Sequence, residues 1–166
     1  MSTDDYPMAT VQVDSEQFAS KQRLAIYEIV NGMLNLVADI QATMSLRPEP
    51  AQIYTLIAIS SAQKFVRAPN QSDFTGHTPL PVDMIGTVSR RRISDITGIP
   101  RETVARHVRH LMERGLVVET GVGKLATPPG VLMDLAPTGL PERMMRETVT
   151  LAQKLVRLKV LEIKVD

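Results

Sequence analysis

Apolar positions recur at three- and four-residue intervals through most of this chain, and the pattern breaks in only a few places. From Asp14 or Ser15 onward, Phe18, Leu24, Tyr27, Val30, Leu34, Val37 and Met44 form one stripe. Ile26, Ile29, Met33, Leu36 and Ile40 form a second beside it, so one long helix with a wide apolar face is predicted. Such a helix is the spine of its own core, the wall of a subunit interface, or both. Pro48 and Pro50 end it and open another helix, in which Ile53, Leu56, Ile57, Phe65 and Val66 repeat helically. Arg67 to Pro81 reads as a loop, because Pro69, Asn70, Gly76, Pro79 and Pro81 crowd into it. Asp83 is placed to cap a short helix around Met84 to Val88.

Two short helices in quick succession are the centre of the pattern. Ser89 caps the first, which runs through Thr97, and Gly98 supplies the positive φ needed to leave it. Pro100 fits the first turn of the second, about residues 100–114, and Gly115 ends it. Ile93, Ile96 and Ile99 are spaced to share one buried core, as are Val104, Val108 and Leu111 with Met112 beside them. Glu102, Arg106, Arg109 and Glu113 fall on the opposite face of the second helix, free to meet a partner.

Beyond Gly115, Leu116 to Glu119 reads as a strand, Thr120 to Gly123 as a turn and Leu125 to Thr127 as the returning strand. After breaks at Pro128-Pro129-Gly130 and at Pro137, Gly139 and Pro141, a last helix starts near Glu142. In it Met144, Leu151, Leu155 and Leu158 recur, with Met145, Val149, Ala152 and Val156 alongside. Residues 1–13 hold no sustained period and are expected to be a flexible arm. The organisation is then an arm at 1–13, helices at 14–66, a loop at 67–81, a central region at 82–127, and a linker with a closing helix at 128–166. Two wide apolar helices at opposite ends of a short chain would leave large exposed patches unless a partner covered them, and a two-fold dimer is the commonest solution.

Charge is unevenly spread along the chain. Met84 to Lys124 carries eight Lys or Arg against four Asp or Glu, whereas residues 1–83 carry five against nine and residues 125–166 six against five. The near-neutral total hides a basic middle. Its Arg stripe has the electrostatic footprint of a surface for phosphates.

The stretch ISDITGIPRETVARHVRHLMERGLVVETGVGKL resembles the winged helix-turn-helix of bacterial transcription regulators of the MarR type. Ile99 stands where that family has an apolar residue after the turn glycine, Thr103-Val104 where a small or polar pair opens the recognition helix, and Leu111 to Val117 where a Leu-x-x-x-Gly-Leu-Val run leads to the wing. Pro100 and the Arg90-Arg91-Arg92 run depart from the family pattern. The resemblance implies a mainly α fold, a short β-hairpin wing, and N- and C-terminal helices that join two copies around a two-fold axis. It also implies double-stranded DNA as partner and a small aromatic effector as ligand.

A second helix lying in the major groove would bring Arg101, Glu102, Ala105, Arg106 and Arg109 toward base edges. Arg106 is the first candidate for a bidentate contact to guanine; Glu102 would accept from cytosine or orient Arg106 at i+4. Ser89, Arg90, Arg91, Arg92 and Thr103 are candidates for phosphates, and His110 for the DNA backbone. Lys124 would touch a phosphate or the minor groove, or is an ordinary exposed lysine. A two-fold dimer would read a roughly palindromic site.

Other chemistry is sparse. His107 and His110 sit at i, i+3 with no third ligand in view, so no metal or other cofactor is expected, and His107 should pack beside Val108 and Leu111. No Gly-x-Ser-x-Gly, P-loop or dinucleotide fingerprint occurs and the carboxylates are scattered, so an enzyme is not expected. Nine methionines could line an adaptable effector pocket, although Met on apolar helix faces is usually plain core. The acidic start lacks the marks of a secretion signal, cysteine is absent, and no apolar run reaches the ~20 residues of a membrane span; a soluble, cytoplasmic protein is expected, with no membrane partner. A winged-helix module that binds protein, or an accessory subunit, is the rival to a DNA reader. Salt dependence and duplex preference separate them.

Overall fold

The computed structural model describes residues 9–67, 81–133 and 135–165. In chain order its elements are β1 (Ala9–Val13), α1 (Ser15–Met44), α2 (Pro48–Val66), a 3-10 turn (Val82–Met84), β2 (Val88–Ser89), α3 (Arg90–Thr97) and α4 (Arg101–Glu113). They continue with β3 (Val118–Gly121), β4 (Lys124–Ala126), α5 (Pro129–Met133), a second 3-10 turn (Ala136–Thr138), α6 (Leu140–Arg157) and β5 (Leu161–Val165). The fold is mainly helical, with two small antiparallel sheets, β1-β5 and β2-β4-β3. No helix among the described residues is long and apolar enough to cross a membrane. Contacts divide the chain into two units, one of Ile40–Leu140 and one of the residues before and after it.

The flanking unit joins the two ends of the chain. Asp14 caps α1 by accepting from Gln17 N–H at 2.9 Å, and its own N–H donates to Val160 O at 3.1 Å. α1 and α6 run antiparallel in a constant register. Glu28 meets Lys154 at 2.7 Å, Asn35 meets Glu147 at 3.3 Å and Asp39 meets Arg143 at 3.6 Å, so each step forward along α1 is matched by an equal step back along α6. Gly32 sits between these pairs, where an added Cβ would lie 3.2 Å from Leu151 Cδ2; the glycine lets the helices close. Buried Ala25, Leu155 and Val160, with Phe18, Ile29, Leu151, Leu158 and Leu161 against them, form this unit's small core.

That core leaves much of α1 uncovered. Val30, Leu34, Tyr27 and Leu24 are about half exposed or more, so the first of the two stripes in the sequence is chiefly surface, while the second supplies Ile29 and Leu36 to the interior side. By helical angle, Ile26, Val30, Met33 and Val37 of α1 and Met145, Val149, Ala152 and Val156 of α6 lie on one side of the helix pair, each set spaced four, three, four. The polar contacts Glu28–Lys154 and Asn35–Glu147 lie toward the other side.

Residues 9–13, expected to belong to a flexible arm, instead form β1, paired with β5 from Ala9↔Val165 to Val13↔Leu161. Val11, Val13 and Ile163 alternate with polar neighbours, but a five-residue strand whose partner lies at the far end of the chain leaves little local trace. Residues 1–8 lie outside the described part.

The central unit is built on α2. Ile53, Tyr54 and Ile57 pack with Ile93 of α3, Val104, Val108 and Leu111 of α4, Val117 and Leu125 in one cluster. Seven of these side chains, Ile53, Ile57, Ile93, Val104, Val108, Leu111 and Leu125, have no accessible surface. Each stabilises the fold by roughly 1.5–3 kcal/mol relative to an exposed position. Ser61 ties α2 to the strands, its hydroxyl donating to Ile57 O at 2.8 Å and accepting from Thr127 N–H at 2.9 Å.

The short helix expected around Met84 to Val88 is absent. Val82–Met84 make a single 3-10 turn with no side-chain cap from Asp83, and the chain then extends. Gly86 N–H donates to Ser61 O at 2.9 Å, and a Cβ at Gly86 would run into the Ser60 carbonyl oxygen, so backbone presses on backbone there. Val88 and Ser89 then pair with Leu125 and Lys124 as a third strand. Of the isoleucines expected to share a core, Ile93 and Ile99 are buried but Ile96 is 50% exposed; about 60° round from Ile93 and in the last turn of α3, it stands at the margin of the buried side. The loop expected over 67–81 falls mostly outside the described residues.

Candidate nucleic-acid interface

α3 starts where the sequence marks it. Ser89 Oγ accepts from Arg92 N–H at 3.2 Å, and the helix leaves through Gly98 at φ 72°. Hydroxyl groups hold the turn that follows. Ser94 Oγ donates to Ile99 O at 2.7 Å; Thr97 Oγ1 donates to Ile93 O at 2.8 Å and accepts from Ile99 N–H at 3.2 Å. Pro100 precedes α4 as its cap residue at φ −54°, one position earlier than its expected place in the first turn. Gly115, at φ 70°, carries the chain out.

With Val104, Val108 and Leu111 buried, α4 turns Glu102, Arg106, Arg109 and Glu113 outward, and all four are exposed. Arg101 and His110 are exposed as well, whereas Thr103 and Ala105 are half-buried at the edges of that face. Among the described residues Arg101, Arg106 and Arg109 have no ion-pair partner, and Glu102 makes no bond to Arg106. Three guanidinium groups therefore stand in solvent on or beside one helix face.

The three arginines opening α3 differ from one another. Arg90 is drawn to the hairpin, its Nη2 donating to Glu119 Oε2 at 2.9 Å. Arg91 is largely exposed and lies 3.9 Å from Asp95, a separation and exposure at which an i, i+4 pair contributes little. Arg92 is exposed. The Ser89 hydroxyl, a candidate for phosphate, is already engaged as the cap of α3.

The hairpin itself, β3 and β4, is displaced from its expected span: β3 runs Val118–Gly121 and β4 Lys124–Ala126, with a register irregularity between Glu119 and Gly121. Glu119 controls its shape. One carboxylate oxygen holds Arg90 and the other accepts from Gly123 N–H at 2.7 Å, and the Arg90 bond, first, and the Gly123 bond hold its pKa below the usual carboxylate value. At the tip Val122 is fully exposed, and Lys124 is exposed beside it at the start of β4.

Two further side chains bear on α4. His107 is half-buried, and its Nε2 lies 3.1 Å from Glu49 Oε2 in the first turn of α2. Arg114 donates to the Met44 and Ser45 carbonyls at the end of α1. The partners Glu49, Glu119, Met44 and Ser45 are 29 to 70 residues away in the chain, so no local pattern marks them. No group of three or more His, Asp or Glu side chains that could hold a metal occurs among the described residues.

No known family, curated protein or solved structure matches the chain.

Proposed function

We propose that this protein is a homodimeric, sequence-specific DNA-binding transcription regulator with a winged helix-turn-helix of the MarR type. In this reading α3 and α4 are the two helices, α4 enters the major groove, and the β3-β4 hairpin is the wing. The observation that carries the proposal is the exposed set Arg101, Arg106 and Arg109 on α4, unpaired among the described residues, with Arg91 and Arg92 exposed on the adjoining helix. Fixed geometry on a buried apolar stripe is what base-edge reading requires, and arginine is the side chain suited to a bidentate contact with guanine. Arg91, Arg92 and Lys124 meet phosphates, and Arg90 holds the wing.

The dimer is proposed on the apolar side of the α1–α6 pair. A standard stable interface hides about 800 Å² per partner. Ile26, Val30, Met33, Val37, Met145, Val149 and Val156 are each more than a third exposed, with Tyr27 and Leu34 at the margin, and together they offer surface of that order. Two such layers placed face to face form a four-helix bundle. The open groove along α1, lined by Ile26, Tyr27, Val30 and Leu34 with Gln22, Arg23 and Asn31, belongs to this face, so we assign it to the second copy rather than to a small aromatic effector. A regulator of this kind works in the cytoplasm, where its DNA is.

Selection of bound duplexes from a random library by the full-length protein tests the proposal. Enrichment of one roughly palindromic site, with halves about one helical turn apart, is the expected result. Recovery of unrelated sequences only, or of none, contradicts it.

A further inference from the structure

The proposed recognition helix is fastened at two points to the joint between α1 and α2. Arg114, at which α4 ends, donates through Nη2 to Met44 O at 2.7 Å and through Nη1 to Ser45 O at 3.3 Å. Met44 is the last residue of α1, and its carbonyl is one of those a helix leaves without a partner of its own. A cation there also opposes the negative end of the helix dipole. Ser45 follows at φ 49°, so the exit from α1 is a tight left-handed turn that the guanidinium spans. Two helical turns earlier on α4, His107 lies 3.1 Å from Glu49, at the other side of the same joint.

His107 and Arg114 are seven residues apart and so share one flank of α4. That flank adjoins, without overlapping, the face that carries Arg106 and Arg109. The rest of the helix is seated by Val104, Val108 and Leu111. The buried stripe sets which face of α4 turns outward; apolar packing has little directionality beyond that, whereas hydrogen bonds are directional, so the two polar ties add a constraint on the helix's fine rotation and tilt.

We infer that Arg114 and His107 are positioning residues, which hold α4 at the angle from which its exposed side chains read base edges. The inference rests on the DNA-reading proposal for its consequence, though not for its geometry. A bidentate contact to a base edge fails with a small change of helix angle, whereas long lysine and arginine side chains follow a phosphate that has moved. Loosening the ties therefore erodes sequence preference and spares general affinity.

The test uses the full chain and two variants, Arg114→Gln and Glu49→Ala, with Arg114→Lys as the conservative replacement. Affinity for the selected duplex and for a scrambled duplex is measured across a range of salt. The expected result is a loss of about tenfold in the preference ratio for Arg114→Gln and for Glu49→Ala, taking the lower part of the range for one lost base contact. Scrambled-duplex affinity and the salt slope stay unchanged, and Arg114→Lys falls in between. An equal loss on both duplexes, with the slope reduced by about 0.9, would mean that Arg114 itself meets a phosphate and would overturn the inference. An unchanged preference ratio would overturn it too.

Wild type alone reports on DNA reading, so its failure to discriminate is read separately. A DNA-independent measurement then decides the geometry. Because the chain has no cysteine, spin labels can be placed at Glu102→Cys on α4 and Gln63→Cys on α2 in an otherwise native protein. Arg114→Gln should broaden the distance distribution between them. An unaltered distribution overturns the positioning role.

Discussion

Glu119 of β3 holds Arg90, the first residue of α3, at 2.9 Å, and so couples the hairpin to the helix that precedes α4. With its second oxygen on Gly123 N–H, the same carboxylate sets the hairpin turn. The Arg90 hydrogen bond, followed by that from Gly123, lowers its pKa from the ordinary value of 4.5. A carboxyl whose folded pKa is depressed contributes above its unfolded value and loses that contribution as pH falls through the folded value. The hairpin should therefore stay pinned when unpaired glutamates have begun to protonate. A carbon-detected NMR titration should find Glu119 titrating below the ordinary glutamate value, and Glu119→Gln should speed amide exchange at Gly123. A midpoint at the ordinary glutamate value would count against the pin.

The apolar side of α1 and α6 predicts a dimer sensitive to single charges. Met33, 60% exposed in one copy, lies near the centre of that face. Met33→Glu should give a monomer by light scattering at concentrations where the wild type is a dimer, with helical circular dichroism retained. A dimeric Met33→Glu would move the interface elsewhere, and a monomeric wild type would remove it.

Leu111 is fully buried at the junction of α4 with the central core. Leu111→Ala should destabilise the protein by about 2–5 kcal/mol, through lost burial and the cavity left behind. Chemical denaturation measures this; a loss below about 1 kcal/mol would mean that α4 is seated by something other than its apolar stripe.

Tyr54 presents the opposite case. Its hydroxyl is buried and has no hydrogen-bond partner among the described residues, and burial raises its pKa above 10.0. An unsatisfied buried hydroxyl costs about 1–3 kcal/mol, so Tyr54→Phe should leave stability unchanged or raise it by about 1 kcal/mol. A group whose folded pKa is raised gives stability that is complete below the unfolded pKa and lost as pH rises through the folded one. Wild type should weaken in the alkaline range more steeply than Tyr54→Phe. A large destabilisation by Phe would reveal a partner for the hydroxyl.

Local signals made the helices of this protein readable. Ser89, Gly98 and Gly115 bound α3 and α4 as short-range capping chemistry requires, and the prolines at 48 and 50 open α2. What depends on distant residues was not readable. β1 needs β5 across the whole chain, and β2 needs β4; without those partners, residues 9–13 look like an arm and Met84 to Val88 like a helix. The same holds for the site. Arg106 and Arg109 were placed by helical period alone, whereas the ties of Arg90 to Glu119, His107 to Glu49 and Arg114 to Met44 appear only once the elements are packed. Period also cannot tell an apolar stripe that faces a core from one on the surface, which is why Ile96 reads as interior and stands exposed, and why the face holding Val30 and Leu34 reads equally as core or as subunit interface.

The most direct test of DNA reading by α4 is fluorescence anisotropy with a duplex from upstream of the protein's own gene and a scrambled control. Wild type and Arg106→Ala are compared over a range of salt. The account predicts preference for the native duplex and a steep salt dependence, about −0.9 in log–log slope per phosphate neutralised. It also predicts that Arg106→Ala loses roughly 1–3 kcal/mol of discrimination while scrambled DNA is bound about as before. Equal binding of both duplexes, indifferent to Arg106, would contradict it.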